Sequence, residues 1–361
     1  MAVRFVTSWL GLVALTLAVV PARGGAQGMP PSLTQFLQQT IRLNPDELSA
    51  ASSGIPVVKL LESSDRREIA VFGIVSIAVP RAFYVHRASD FRTSLKSPSR
   101  SRFGIFSDPA TPSDVAALTV PHDDVQDLAK CRPGACKLKF SGKTIIRLRA
   151  MIDSAPNAAD SVVSAYLRQR AIDYISGYRA RGNAALVVYG DEDSATAAAQ
   201  VFTAMVSRSA YMYQYAPSLE QYLNSYPQNR PADLSEVLFW SEDDLPGLKQ
   251  TITLAHAVVY APPELPGCTL LVTKQLYADH YLDGAIGVTA IVEQGEGARP
   301  GQPGVYLAYL RRLHFDKLPS GGLMDVRGKV IGKVRAATRT DLLNAKTTNE
   351  RAYAAAPPSS R

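Results

Sequence analysis

Four apolar, alternating segments crowd into the last third of the chain, at 250–260, 268–277, 281–292 and 305–315. Short connections rich in turn residues join them, as Ala261-Pro262-Pro263-Glu264-Leu265-Pro266-Gly267 shows. Consecutive strands joined this closely pair antiparallel, so the stretch predicts a β meander. A meander needs a cover for its apolar face, and the next segment supplies one. Leu323, Val326, Val330, Val334 and Ala337 form one stripe of a helix predicted over 321–346, with Arg327, Lys329, Lys333, Arg335 and Arg339 elsewhere on it. The chain therefore reads as α+β, an antiparallel meander packed on a long C-terminal helix.

Upstream, 68–79 is a further strand, with Ile69, Val71, Gly73, Val75, Ile77 and Val79 on one parity. Pro80 ends it, and 81–95 turns helical. Shorter strand candidates lie at 105–106, 117–120, 137–140 and 184–189. Helical spacing dominates 143–152 and 158–181, and Asp193-Ser194 offers a cap for a helix running to 207. The expected organisation is an approach segment at 27–64, with a short helix opening at Asn44-Pro45-Asp46-Glu47. One α+β domain follows at 65–352, carrying a large mainly helical insertion at about 143–240. A disordered tail at 353–361 ends the chain.

The order strand, helices, meander, terminal helix is carried by 71–95, 250–315 and 321–346. It resembles the START-like helix-grip superfamily of lipid- and hydrophobe-binding proteins. The likeness is architectural, spans roughly half the chain and leaves 143–240 unmatched. It implies an apolar cavity between a curved sheet and the terminal helix. The family has no short catalytic signature, so the resemblance assigns no residue a role.

The N-terminus has the parts of a secretory signal peptide over 1–26: Arg4, an apolar run from Phe5 to Val20, then small residues with cleavage after Ala22 or Ala26. The competing reading is a retained anchor, for which the run is short. The expected location is periplasmic or secreted. In such a compartment Cys131 and Cys136, flanking Arg132-Pro133-Gly134-Ala135, read as a disulfide across a turn. Cys268 reads as strand packing. The net charge of +7 is concentrated at the end of the chain: residues 316–361 hold nine basic and four acidic groups. The basic helix is either a solvated face or a peripheral contact with an anionic membrane, and no nucleic-acid partner is expected.

No Gly-x-Ser-x-Gly, His-Glu-x-x-His, Gly-x-x-x-x-Gly-Lys or Gly-x-Gly-x-x-Gly occurs, which argues against common hydrolase, zincin and nucleotide-binding designs. No cofactor is expected. Candidate polar contacts for an apolar ligand are His256, Tyr277, His280 and Arg311. His256 shares strand parity with Leu254, Val258 and Tyr260, a setting in which a satisfied core histidine is the commoner outcome. Arg311-Arg312 interrupts an apolar strand, so one guanidinium faces inward and needs an anion from the protein or a ligand. The favoured function is an exported soluble binding protein for an apolar or lipid-like small molecule. One alternative is an enzyme using His280 with Asp279 or Asp283, although strand alternation separates His280 from Asp279 unless the chain bends. Another is an envelope protein-interaction module built on the tyrosines of 211–226. No metal set is expected, because one histidine and alternating carboxylates are all the local sequence offers.

Overall fold

The computed structural model describes residues 31–96, 100–244, 248–295, 303–318 and 325–357, so the expected signal segment at 1–26 lies outside the described residues. Helix α1 (Pro31–Gln35) runs into a π turn (Phe36–Thr40), and α2 (Pro45–Ser52) follows. Local chemistry sets the start of α2. The Asn44 side chain accepts from Glu47 N at 2.8 Å, the Glu47 carboxylate accepts from Asn44 N at 2.9 Å, and Pro45 occupies the first turn.

Strands β1 (Val57–Leu61) and β2 (Glu68–Ile77) then pair, and α3 (Arg81–Ser89) and α4 (Phe91–Ser94) lead to β3 (Arg100–Ile105). A long excursion carries α5 (His122–Leu128), α6 (Gly142–Ser154), α7 (Ala159–Arg181) and a small hairpin of β4 (Val188–Tyr189) with β5 (Thr196–Ala197). It continues through α8 (Ala198–Ser207), α9 (Ala210–Tyr215) and α10 (Pro217–Ser225). The chain re-enters the sheet as β6 (Ser235–Asp243), β7 (Thr251–Tyr260), β8 (Cys268–Ala278), β9 (Leu282–Glu293) and β10 (Val305–Phe315). It ends in α11 (Val326–Ala355).

All eight strands of the main sheet pair antiparallel in the order β1-β2-β10-β9-β8-β7-β6-β3. The α+β meander with its long C-terminal helix is thus the observed architecture. Among the described residues no helix is long and apolar enough to cross a membrane.

Several boundaries differ from expectation. The excursion spans 106–234 rather than 143–240, because 235–243 is a sheet strand. Leu238, Phe239, Trp240 and Ser241 are all buried, so β6 has apolar cover on both faces and shows no alternation to read. β1 emerges from the approach segment. Segments 117–120 and 137–140 are not strands, and α11 runs past 353 to Ala355.

The sheet's two faces are covered by different parts of the chain. On one, α7, α8 and α10 bury Tyr178, Phe202, Met205, Leu219 and Tyr222 against Leu238, Trp240, Val258, Val272 and Ile286. On the other, α11 lies across β2 and β1. It comes so close that a Cβ on Gly73 would stand 2.7 Å from Leu342 Cδ1 and 3.0 Å from Thr338 Cγ2, so only glycine admits the helix there.

Buried charge binds the excursion to the sheet. Glu68, fully buried at the start of β2, receives Arg312 Nη1 at 2.5 Å and Arg208 Nη2 at 2.7 Å; Arg312 also donates to Ser209 Oγ (2.9 Å) and Arg208 O (2.7 Å). Nearby, Lys139 Nζ meets Asp283 at 2.8 Å and Asp191 at 3.2 Å, and His314 lies between Asp283 (3.2 Å) and Asp65 (3.1 Å). The cysteine turn forms as expected. Gly134 takes φ +82°, Arg132 and Ala135 exchange backbone hydrogen bonds, and Cys131 and Cys136 are disulfide-bonded with Cα atoms 4.5 Å apart. Cys268 is buried and free.

Removing Arg312 leaves the buried Glu68 carboxylate with Arg208 alone to meet its charge. Arg312→Met is expected to cost about 3 kcal/mol in denaturant unfolding, and Glu68→Met/Arg312→Met less than the single change. Equal stability of wild type and Arg312→Met would show that the pair does not hold the excursion.

Candidate ligand groove

The burial pattern of the three central strands is lopsided. On β8, β9 and β10 the water-accessible positions between fully buried ones include Thr273, Gln275, Ala285, Gly287, Thr289, Tyr309 and Arg311. Side chains alternate along a strand, so these residues share one face, the face that carries α11. Register makes them one patch: Arg311 lies beside Gly287, Gly287 beside Thr273, and Tyr309 beside Thr289. In the middle of an eight-stranded sheet such positions are ordinarily covered.

Above Gly287 the space is open. A Cβ placed on Gly287 would meet nothing nearer than Tyr309 Cε2 at 4.0 Å, whereas one on Gly284, on the opposite face of the same strand, would press on Met205 and Val201 at 3.0 Å. Helical and apolar clusters wall the patch. Leu342 of α11 stands with Val75 and Leu307 on one side. Phe91 and Leu95 pack with Phe239, Ala255 and Ala257 on the other. Tyr84 and Ala88 of α3 close one end beside Ile291, and Val330, Ile331 and Val334 close the other beside Leu313 and Phe315. The result is a groove floored by sheet and flanked by helices.

One cation dominates its polar surface. The Arg311 guanidinium lies 5.2 Å from the Tyr309 ring centroid, and among the described residues no carboxylate comes within 4.0 Å of it. Asp341 of α11 and Asp243 of β6 act on it only at longer range, and Asp243 is already taken by Arg100 at 2.9 Å. Asp341 touches water, yet the protein around it desolvates its carboxyl and pushes its pKa up, against the pull of Arg311 and Arg100.

Of the four residues expected in one pocket, the structure places only Arg311 here. His256 lies on the opposite face, fully buried, with Tyr178 Oη at 3.2 Å from Nδ1 and Glu236 at 2.7 Å from Nε2. Burial lowers its pKa and Glu236 opposes that, so a neutral ring donates from Nε2 to Glu236 and accepts from Tyr178. Tyr277 is turned to the same side by a bulge. Ala255 pairs with Gln275 but Leu254 with Tyr277, so Leu276 is the extra residue and the alternation resets. Tyr277 packs among Phe140, Tyr174 and Tyr189, and its hydroxyl has no hydrogen-bond partner among the described residues. His280 is buried and contacts Asp124 at 3.1 Å; Asp283 turns instead to Lys139 and His314. The tyrosines of 211–226 belong to α9, α10 and the turn after them. Tyr222 and Tyr226 are buried, and Tyr211 packs on Phe36.

Sequence reasoning missed Gly287, Thr273, Tyr309 and Asp341 as groove residues. The available signal was the run of small and polar residues at alternate positions of β8 and β9. Compared with known proteins, the chain matches no family model and no curated sequence.

The Glu236 cluster generates a pH dependence. Burial alone would raise its carboxyl, but hydrogen bonds from His256 and Tyr222 outweigh that and hold it at about 2. A carboxylate depressed in the fold stabilises the protein above its unfolded value near 4.5, and that stability is lost as pH falls toward 2. Glu236→Gln should therefore lose on the order of 2–3 kcal/mol at pH 6 and converge on wild type near pH 2, measured by urea unfolding across pH. A constant difference over that range would contradict this origin.

Proposed function

We propose that the protein binds an amphipathic small molecule, an apolar body carrying one anionic group, in the groove between the central strands and α11. The anionic group is placed against Arg311 and the apolar body over Gly287 and toward the α3, α4 and α11 walls. The observation that carries this reading is the pairing of unfilled space above Gly287 with a guanidinium that, among the described residues, has no carboxylate within 4.0 Å. A guanidinium in a recess is stabilised by an anion, and a carboxylate or phosphate fits its fork.

The order strand, helices, meander and terminal helix, with the groove beneath that helix, supports reading this as a START-like binding protein. The disulfide between Cys131 and Cys136 supports an exported one, since such bonds persist in oxidising compartments. In that reading 1–26 is a cleaved signal peptide. The enzyme alternative with His280 gains nothing from the groove, which lies on the other face of the sheet.

The test is equilibrium binding of a saturated fatty acid and of its methyl ester, followed by displacement of a fluorescent probe. Charge-assisted hydrogen bonds contribute about 1.5–3 kcal/mol, so Arg311→Met should weaken the acid about 10- to 100-fold and leave the ester within a few-fold. Gly287→Leu should abolish both while the protein stays folded by circular dichroism. Saturable binding unaffected by either change would place the site elsewhere. Absence of binding by either compound, together with no small molecule in native mass spectra of the purified protein, would overturn the reading.

A further inference from the structure

The turn between β8 and β9 assembles a second group of donor atoms, away from the groove. Tyr281 takes φ +58°, and Leu282 N donates to His280 O at 2.6 Å. This tight bend releases Asp279 and His280 from strand alternation, which would have pointed them apart. Asp124, from the first turn of α5, comes in to meet them. One ligand atom from each of Asp124, Asp279 and His280 lies within 4.8 Å of the others, and the three residues are 1%, 3% and 2% exposed.

Their charges are unevenly met. Asp124 contacts His280 at 3.1 Å and Lys249 Nζ at 2.6 Å, and Lys249 also reaches Asp127 at 3.0 Å. Asp279 accepts from Ile252 N at 2.8 Å, but among the described residues no cationic nitrogen stands within 4.0 Å of its carboxylate. A carboxylate removed from water without a cation in contact is costly, and it faces an imidazole and a second carboxylate.

We propose that Asp124, Asp279 and His280 bind one divalent first-row transition-metal ion, for which the Lys249 ammonium is the built-in competitor. One imidazole nitrogen and two carboxylates suit zinc or manganese better than calcium or magnesium, which prefer oxygen ligands alone. Zinc ligands at about 2.0–2.1 Å in a tetrahedron stand about 3.3 Å apart, so donor atoms within 4.8 Å of one another need to draw together by at most about 1.5 Å. Lys249 can give way, since its side chain is 40% exposed.

The experiment titrates Zn²⁺ and Mn²⁺, with Mg²⁺ and Ca²⁺ as controls, into tag-free, chelator-treated protein by calorimetry, with manganese electron paramagnetic resonance as a second readout. The expected result is one equivalent of Zn²⁺ or Mn²⁺ bound in preference to the control ions. Affinity should fall at least tenfold in Asp279→Asn and in His280→Gln, and rise several-fold in Lys249→Met. Lys249→Met does not remove a ligand, so its metal-dependent rise in melting temperature tests the site even if the ligand variants fold poorly. Failure of both wild type and Lys249→Met to bind either ion at millimolar concentration overturns the proposal. Unchanged binding in Asp279→Asn does the same.

Discussion

The two-residue repeat of a β-strand forces Arg311 and Arg312, neighbours in β10, to opposite faces of the sheet. Much else follows from that separation. Arg312 enters the face that carries the excursion and finds Glu68, Ser209 and the Arg208 carbonyl, a complete set of acceptors. Arg311 enters the face that carries α11 and finds an aromatic ring and carboxylates held at a distance. One guanidinium is consumed by architecture; the other, among the described residues, meets no carboxylate within 4.0 Å. A shift of one residue in the β10 register would exchange their places and take from Glu68 one of its two cationic partners.

The excursion face is closed by two kinds of interaction with different roles. Apolar contacts between α7, α8, α10 and the strands supply the bulk of the burial, and they are tolerant of exchange among residues of similar volume. The charged groups Lys139, Asp191, Asp283, His314, Asp65, Glu68, Arg208 and Arg312 are less forgiving, because each carries a desolvation cost that only its particular partners offset. They sit where the excursion's loops meet the ends of β2, β9 and β10. There they fix alignment rather than add much net stability. Lys274 is buried without a carboxylate: burial pushes its pKa well below the ordinary lysine value, and its amine lies 3.8 Å from the Phe202 ring centroid and donates to Asn183.

What could be read from the sequence was what rests on local periodicity. The four meander strands, β2, α6, α7 and the cysteine turn all carry their own pattern, and each formed within a few residues of expectation; the terminal helix formed in place but ends nine residues beyond the expected 346, at Ala355. β6 could not be read that way because both of its faces are apolar, and β1 because an edge strand of five residues is too short to show a period. The site was less legible. The parity of His256 was plain, but which face would hold a ligand was not, since that depends on which helices cover which side. Tyr277 was displaced by a bulge at Leu276, and His280 met Asp279 through a bend, neither of which leaves a pattern in one chain. Asp124 lies 156 residues from His280 and joins it only through folding. Arg311 was singled out by its chemistry alone, a charge in an apolar strand.

The excursion leaves the sheet after β3 and returns as β6, and these two strands are hydrogen-bonded neighbours, with Ile105 opposite Phe239 and Phe106 N bonded to Leu238 O at 2.9 Å. Residues 106–234 therefore stand where a simple hairpin turn would do. Entry and exit abut, so lengthening the loop taxes the sheet's topology very little, because closure entropy grows only slowly with loop length. Energetically the two parts have since become mutually dependent: without the helices an apolar sheet face would meet water, and without the sheet Arg208 would lose its carboxylate. The protein is thus modular in its wiring and indivisible in its thermodynamics.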